Sequence, residues 1–368
     1  MATHFRSLKI KNIRKETEDC VSVCFEVPEI LKEEFQFKHG QNITVRAVIN
    51  GEDLRRSYSI CSSPLENELR IAVKKSIHGK FSTYINDHLT QDKVLEVLAP
   101  TGQFYTELHP SNKKNYLAFA AGSGITPVIS IIKTTLANEP QSNFSLVYGN
   151  RNRASIIFKE ELEALKNRYM DRLSIYYILS REKTDASLNE GRIDAAKCEE
   201  LFKVLFDVST IDEYFICGPE EMIFGVKNWL EVKGVDKRKI HFELFTVPGQ
   251  GSAMSTGGQI KTAIQSEHRD PNSPLSKINI KLDGITFGFE LSYDAEPILD
   301  AALKQGADLP FACKGGVCAT CRAKLISGKV EMDTNYALQP EELEAGFILT
   351  CQSHPRSERV MIDFDVRQ

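Results

Sequence analysis

Four cysteines near the C-terminus constrain this chain more than any other feature. Cys313, Cys318, Cys321 and Cys351 spell C-x4-C-x2-C…C, with 29 residues before the last thiol. That is the plant-type spacing for a two-iron, two-sulfur (2Fe-2S) cluster. The intervening Lys314-Gly315-Gly316-Val317 and Ala319-Thr320 are mostly small. Glycines let the backbone come close and aim N–H groups at cluster sulfur, which stabilises the charge gained on reduction. A zinc site is the competing reading, but structural zinc sites usually combine two C-x2-C pairs, and only one such pair occurs here. The metal ligands expected are therefore Cys313, Cys318, Cys321 and Cys351.

The nine cysteines are an odd number, and no secretory leader is visible, which argues against a disulfide framework. Cys20, Cys24, Cys61 and Cys198 carry no motif and read as small apolar residues. No apolar run approaches the roughly 18 residues of a membrane span, so a cytoplasmic protein that contacts no membrane is expected. With 46 basic and 50 acidic side chains the chain is not a globally basic nucleic-acid binder. Residues 274–368 carry 10 basic and 14 acidic side chains, so the whole net charge of −4 lies there. That excess reads either as a solvated surface or as a docking face for a basic partner. Glu341, Glu342 and Glu344 form its candidate patch, although a plain helix surface is the simpler reading.

The length of 368 residues predicts two or three domains, and three textures follow one another. Residues 1–110 read as short strands at 7–13, 20–27, 43–48, 56–61, 69–74 and 94–97, with one helix at 81–89. That pattern predicts an antiparallel β-barrel or sandwich. Over residues 111–246, strands at 116–121, 144–148, 173–179, 213–217 and 240–245 alternate with helices at 127–136, 156–169, 195–206 and 220–232. Such alternation predicts an α/β doubly wound parallel sheet, which binds ligands at the carboxyl ends of its strands. Residues 247–274 are rich in Gly, Ser and Pro and read as a linker. Residues 275–368 open with a hairpin at 278–282 and 287–291 that turns at Asp283-Gly284. A helix at 297–304, the cysteine loop and strands near 321–326 and 360–364 follow, giving a small α+β unit.

A plant-type cluster carries one electron, at about −400 mV in plant-type ferredoxins, whereas a nicotinamide gives up two as hydride. A flavin is the usual converter, so the first domain is expected to hold one. Arg56-Ser57-Tyr58-Ser59 suits a flavin site. Arg56 can neutralise a phosphate, Tyr58 can pack on the isoalloxazine, and Ser59 can place a hydroxyl near its redox-active nitrogen. Gly79-Lys80-Phe81-Ser82 opens the one helix of this region and suits a pyrophosphate. In the second domain Gly122-Ser123-Gly124-Ile125-Thr126-Pro127 follows the first strand as a dinucleotide-type turn, with Pro127 in place of the third glycine. Cys217-Gly218-Pro219 ends the fourth strand, at the edge where a nicotinamide lies. Ser180-Arg181 follows the third strand, where an adenosine ribose sits. An Arg there favours a 2′-phosphate, while the adjoining Glu182 favours none. With Arg151 nearby, NADPH is expected over NADH.

Taken together these motifs are similar to the ferredoxin–NADP reductase superfamily with a C-terminal 2Fe-2S ferredoxin domain, over essentially the full chain. The phrases R-R-S-Y-S-I-C-S-S, G-K-F-S-T-Y and P-F-A-C-K-G-G-V-C-A-T-C-R-A-K most resemble those of reductase subunits of ring-1,2-phenylacetyl-CoA epoxidases. Ketosteroid hydroxylase reductases share the same domain order. The resemblance implies a β-grasp fold for the last domain, FAD rather than FMN, and electron flow from NADPH to FAD to the cluster to an oxygenase. A diiron partner is favoured over a Rieske-type hydroxylase. It also carries Ser59, Cys217 and Glu243 over to the flavin–nicotinamide contact, as the catalytic set. A non-enzymatic redox regulator is the rival from another class, and no basic cluster supports it.

Overall fold

A computed structural model describes residues 4–245 and 273–366. The first unit holds strands β1 (Arg6–Thr17), β2 (Cys20–Glu26), β3 (Asn42–Ile49), β4 (Glu52–Ser59), β5 (Leu69–Lys74) and β6 (Val94–Val97), with helix α1 (Lys80–Asp87) between β5 and β6. The strands pair antiparallel in the order β4-β3-β6-β1-β2-β5. The two ends of the sheet meet. Ile60 faces Ile71, and the Cys61 N–H donates to the Arg70 carbonyl at 2.8 Å, so the sheet curls into a barrel. Alternate residues such as Leu8, Ile10, Ile43, Val45, Ile71, Val73 and Val97 fill it, and α1 adds Phe81 and Ile85. Strand β4 begins four residues ahead of expectation. Asn50 and Gly51 both take positive φ, at 51° and 80°, the turn that joins two strands with a two-residue loop. The register it fixes sets Ser59 opposite Asn42.

The second unit is a parallel sheet of β7 (Asn115–Ala121), β8 (Asn143–Asn150), β9 (Leu173–Leu179), β10 (Glu213–Cys217) and β11 (Ile240–Glu243), in the order β11-β10-β7-β8-β9. Helices α2 (Ile125–Asn138), α3 (Lys159–Arg168), α4 (Ala195–Val204) and α5 (Glu220–Val232) connect its strands. The expected helix over 156–169 is cut to ten residues because Phe158 adopts left-handed φ of 61° at its start. Pro127 sits in the first turn of α2, where its missing N–H costs nothing. Two apolar cores flank the sheet, one around Ile125, Ile129 and Phe144, the other around Phe119, Ile216 and Ile223.

The barrel and this sheet are joined by a polar seam. Ser130 Oγ donates to the Ser62 carbonyl at 2.6 Å, and the Ser63 and Thr134 hydroxyls lie 2.9 Å apart. Lys133, nearly buried, reaches Glu66 at 2.9 Å and Glu161 at 2.8 Å.

The third unit contains β12 (Leu275–Leu282), β13 (Ile285–Ser292), α6 (Ile298–Lys304), β14 (Arg322–Ser327), β15 (Val330–Met332), α7 (Pro340–Glu344), β16 (Phe347–Leu349), β17 (Ser353–Pro355) and β18 (Arg359–Asp363). Its main sheet runs β13-β12-β18-β14-β16, with β12 and β18 parallel and the other pairs antiparallel. Helix α6 packs Ile298, Leu299 and Ala302 onto it, the β-grasp arrangement. Asp283-Gly284 makes the first turn, with φ of 53° and 76°. The small β15–β17 pair and β16 were not foreseen; at three residues each they are shorter than any periodicity can register. Helix α7 lies where the acidic run Glu341, Glu342 and Glu344 reads as a helix surface. The candidate acidic run is not a uniform surface: Glu342 is buried, caps α7 and pairs with Arg322 at 2.9 Å. The linker expected at 247–274 lies, except for its last two residues, outside the described residues. Among the described residues no helix is long and apolar enough to cross a membrane.

Candidate functional site

The cysteine loop follows α6 and runs into β14, while Cys351 comes from the turn between β16 and β17. Left-handed φ at Lys314 (53°), Gly316 (75°) and Ala319 (54°) coils the loop tightly, so its amides turn inward. The Gly315 N–H donates to Cys313 Sγ at 3.3 Å. The thiols interact as two neighbouring pairs, Cys313 with Cys318 and Cys321 with Cys351. Among the described residues no three thiol, imidazole or carboxyl groups close round a single point. Bound to these four thiols, a 2Fe-2S cluster would take all its protein ligands from the loop and the β16–β17 turn and would carry one electron at a time. The Cys318 thiol, and after it the N–H groups of Gly315, Val317 and Cys318, hold Cys313 below the ordinary thiol range, while Cys318 itself is pushed up by the same contact and by burial. A loop that stabilises sulfur anions in this way fits a 2Fe-2S cluster.

The second constellation lies where the barrel meets the parallel sheet. Cys217 ends β10 and Glu243 ends β11, directly beside each other in register. Ser59 at the end of β4 donates its hydroxyl to Glu243 Oε2 at 2.7 Å. Asn42, across from Ser59 on β3, also hydrogen-bonds Glu243 and accepts from Ser57 Oγ at 2.7 Å. Glu243 is half-buried at the crevice wall, and desolvation there raises its carboxyl from an ordinary 4.5 to about 7 despite those two donors. Burial, and then the neighbouring Glu243, push the Cys217 thiol well up, so it stays neutral. Cys217 has no exposed surface. A crevice extends from this point to the cluster loop: Asn42 and Phe104 of the first unit, His241 and Glu243 of the second, and Val317 and Cys318 of the third line it together.

Residues expected to hold a flavin nucleotide lie on β4 and α1. Tyr58 rests 6.0 Å from the Phe81 ring, and Lys80 pairs with Glu52 at 2.6 Å, so the two elements are adjacent. Arg56 is exposed and donates only to the Arg55 carbonyl, at 2.7 Å. The first turn of α1 follows Gly79 with no side-chain cap. A Cβ on Gly79 would meet Ser82 Oγ at 2.4 Å. The Ser82 hydroxyl is spent on that turn, accepting from the Ser76 N–H and donating to the Gly79 carbonyl. An exposed guanidinium and an uncapped helix start beside an aromatic pair fit a flavin with its diphosphate.

The turn expected to meet a dinucleotide is a 3-10 turn, Gly122–Gly124. A Cβ on Gly124 would lie 2.0 Å from the Cys217 carbonyl oxygen, so this turn and the Cys217-Gly218 segment touch backbone to backbone. Thr126 Oγ1 turns inward to the Ser123 carbonyl at 3.0 Å. At the far edge the N–H groups of Ser180 and Arg181 donate to the Asn150 and Arg151 carbonyls at 2.9 and 2.8 Å, which aligns the ends of β8 and β9. Ser180, Arg181 and Arg151 are exposed there. The conflicting Glu182 is already engaged: Arg153 pairs with it and also gives it a backbone N–H at 2.8 Å. Sequence reasoning missed Asn42, Arg153 and Arg55. Asn42 and Arg153 stand in no motif, and Arg55 was overshadowed by its neighbour Arg56.

The chain matches the family models described as oxidoreductase FAD-binding domain over residues 7–105, oxidoreductase NAD-binding domain over 119–228, and 2Fe-2S iron-sulfur cluster binding domain over 280–356. It is 44% identical over 365 residues to a subunit of the 1,2-phenylacetyl-CoA epoxidase of Escherichia coli (strain K12), covering 99% of each chain. It is 32% identical to the 3-ketosteroid-9-alpha-monooxygenase ferredoxin reductase component of Rhodococcus rhodochrous, covering 97% of this chain and 96% of the relative. Among solved structures, phthalate dioxygenase reductase is similar over 98% of both chains, with a TM-score of 0.57 at 22% identity. An intact type IV self-sufficient cytochrome P450 monooxygenase matches 97% of this chain and 41% of its own, with a TM-score of 0.67 at 19% identity. These two likenesses speak for the fold.

Proposed function

This chain belongs to the ferredoxin–NADP reductase superfamily with a C-terminal 2Fe-2S domain, and from that premise we propose that it draws electrons from NADPH and delivers them singly to a diiron oxygenase acting on phenylacetyl-CoA. The observation that carries the route is the shared crevice. Glu243 of the nucleotide unit is hydrogen-bonded to Ser59 of the barrel, and Cys318 of the cluster loop lines the same space. Bound FAD and the cluster supply the exchange between paired and single electrons; the side chains supply position, charge and protons.

Arg56 and the first turn of α1 hold the flavin diphosphate, and Tyr58 packs against its ring system. Ser59 Oγ fixes one end of a short proton path whose other end is Glu243 Oε2. With its value near 7, Glu243 can give up or regain a proton at neutral pH. Cys217, kept neutral, contributes shape at the nicotinamide edge. Because its thiol is covered as the chain stands, nicotinamide contact there requires the covering groups to move. Arg181 and Arg151 take the 2′-phosphate, and Arg153 silences Glu182, the acid that would oppose it.

Cys318→Ser tests the route. It is expected to abolish cytochrome c reduction while ferricyanide reduction by NADPH persists. Loss of both activities in a folded, flavin-loaded variant would refute the order of transfer. The choice of partner is tested by reconstitution: product formation with a diiron epoxidase component supports the reading. Coupling to a Rieske-type hydroxylase alone overturns it.

A further inference from the structure

The barrel is clamped to the cluster loop by a residue the route above does not use. Arg55 points the opposite way from Arg56 on β4 and is only 6% exposed. Its guanidinium stacks 4.3 Å from the Phe311 ring centroid, two residues before Cys313, and 5.1 Å from the Phe5 ring. Its hydrogen bonds, to the Leu309 carbonyl at 3.3 Å, to Asp308 at 3.4 Å and to Asp53 at 3.3 Å, are all long, and Nε has no acceptor. The planar group is therefore held by aromatic faces more than by hydrogen bonds. Alongside it, the Thr44 and Thr320 hydroxyls lie 3.0 Å apart, both buried, and Thr320 stands directly before Cys321. His4 Nε2 reaches Asp283 at 2.9 Å on the same side. These contacts come from barrel residues, and two of them, at Phe311 and Thr320, bracket the first two cluster ligands and adjoin the third.

We infer that Arg55 is a positioning residue that docks the cluster loop onto the barrel at the place where electrons cross. The inference rests on the reductase reading and adds a residue to it. The clamp sets the separation of donor and acceptor without touching the nicotinamide. Weakening it leaves hydride arrival intact and slows the onward electron.

The test uses the full chain loaded with FAD and cluster, comparing wild type with Arg55→Met, Arg55→Lys, Phe5→Leu and Thr44→Val. Hydrogen–deuterium exchange over 309–320 is expected to rise in every variant, because the loop loses its contact. In rapid mixing with NADPH, flavin bleaching stays within about twofold, while cluster reduction in Arg55→Met slows about tenfold or more, the scale of losing a desolvated cation–π contact. Arg55→Lys does not restore it, since an ammonium cannot stack as a planar fork. Unchanged exchange together with unchanged cluster reduction in Arg55→Met overturns the inference. So does a parallel loss of flavin bleaching, which would put Arg55 in the flavin site. Should Arg55→Met fail to load flavin, Phe5→Leu and Thr44→Val decide the matter on the same two readouts. A wild type that never passes electrons from NADPH to the cluster overturns the reductase reading instead, and the exchange data still judge the clamp.

Discussion

Replacing Glu243 with glutamine gives the sharpest measure of the half-buried acid at the end of β11. The folded chain holds this carboxyl at about 7 against an ordinary 4.5, because burial outweighs the donors Ser59 and Asn42. At roughly 1.4 kcal/mol per tenfold, that difference corresponds to about 3 kcal/mol. The sign follows from linkage. Below pH 4.5 the carboxyl is protonated whether the chain is folded or not, and ionisation costs the fold nothing. Between 4.5 and 7 the unfolded chain releases the proton while the folded one keeps it, so stability drops as pH rises. Above 7 the full loss is in place. Glutamine preserves the shape and can still accept from Ser59 Oγ, but it has no proton to lose. The melting temperature of wild type relative to Glu243→Gln should therefore fall between pH 4.5 and 7.5, by up to about 6–12 °C for a unit of this size. Differential scanning calorimetry of both proteins across that range is the assay. Infrared difference spectra should show a protonated-carboxyl band that titrates near 7 in wild type and is missing in the variant. A melting difference that does not change with pH, or a band titrating near 4.5, would refute the desolvation argument and with it the proton path to Ser59.

Other outcomes follow from the same geometry. Gly124→Ala places a methyl 2.0 Å from the Cys217 carbonyl although φ there is an ordinary −60°. The penalty is purely steric, about 1–3 kcal/mol or more, and should appear as a lower melting temperature and a higher KM for NADPH; an unaffected KM argues against this turn as the nucleotide contact. Arg181→Glu should lower kcat/KM for NADPH far more than for NADH in steady-state assays, and equal losses remove Arg181 from the phosphate site. Arg153→Ala frees Glu182 and should shift preference toward NADH by about tenfold, the scale of one repulsive charge; an unchanged NADPH:NADH ratio of kcat/KM refutes the silencing of Glu182.

Much of the architecture was readable from residue order. Leu69–Lys74, Val94–Val97, Leu173–Leu179, Glu213–Cys217 and Glu220–Val232 fall where their apolar periodicity puts them. The cluster spacing was equally plain, since ligand chemistry fixes it. Apart from strands too short to register, the errors at β4 and α3 share a cause: backbone events decided by one or two residues. Asn50-Gly51 lengthened β4 toward its start, and Phe158 shortened α3. Less was readable of the site. Ser59, Cys217 and Glu243 are gathered by a sheet edge and a domain seam, and their mutual contact depends on a register that no local motif encodes. Asn42, Arg153 and Arg55 matter through partners far along the chain: Asn42 reaches Glu243, Arg153 reaches Glu182, and Arg55 reaches both Asp308 and Leu309. Such partners can be named only once the chain is folded.

Glu243 reaches the barrel on a strand only four residues long, at the margin of its sheet. A shortened chain stopping at residue 245 would thus keep the whole Ser59 cluster while leaving Phe5, Arg55 and Thr44 bare to water. Any chimera that grafts a foreign ferredoxin onto this scaffold must bring its own ring for Arg55 and its own hydroxyl for Thr44, or it will inherit an electron source with no fitted outlet.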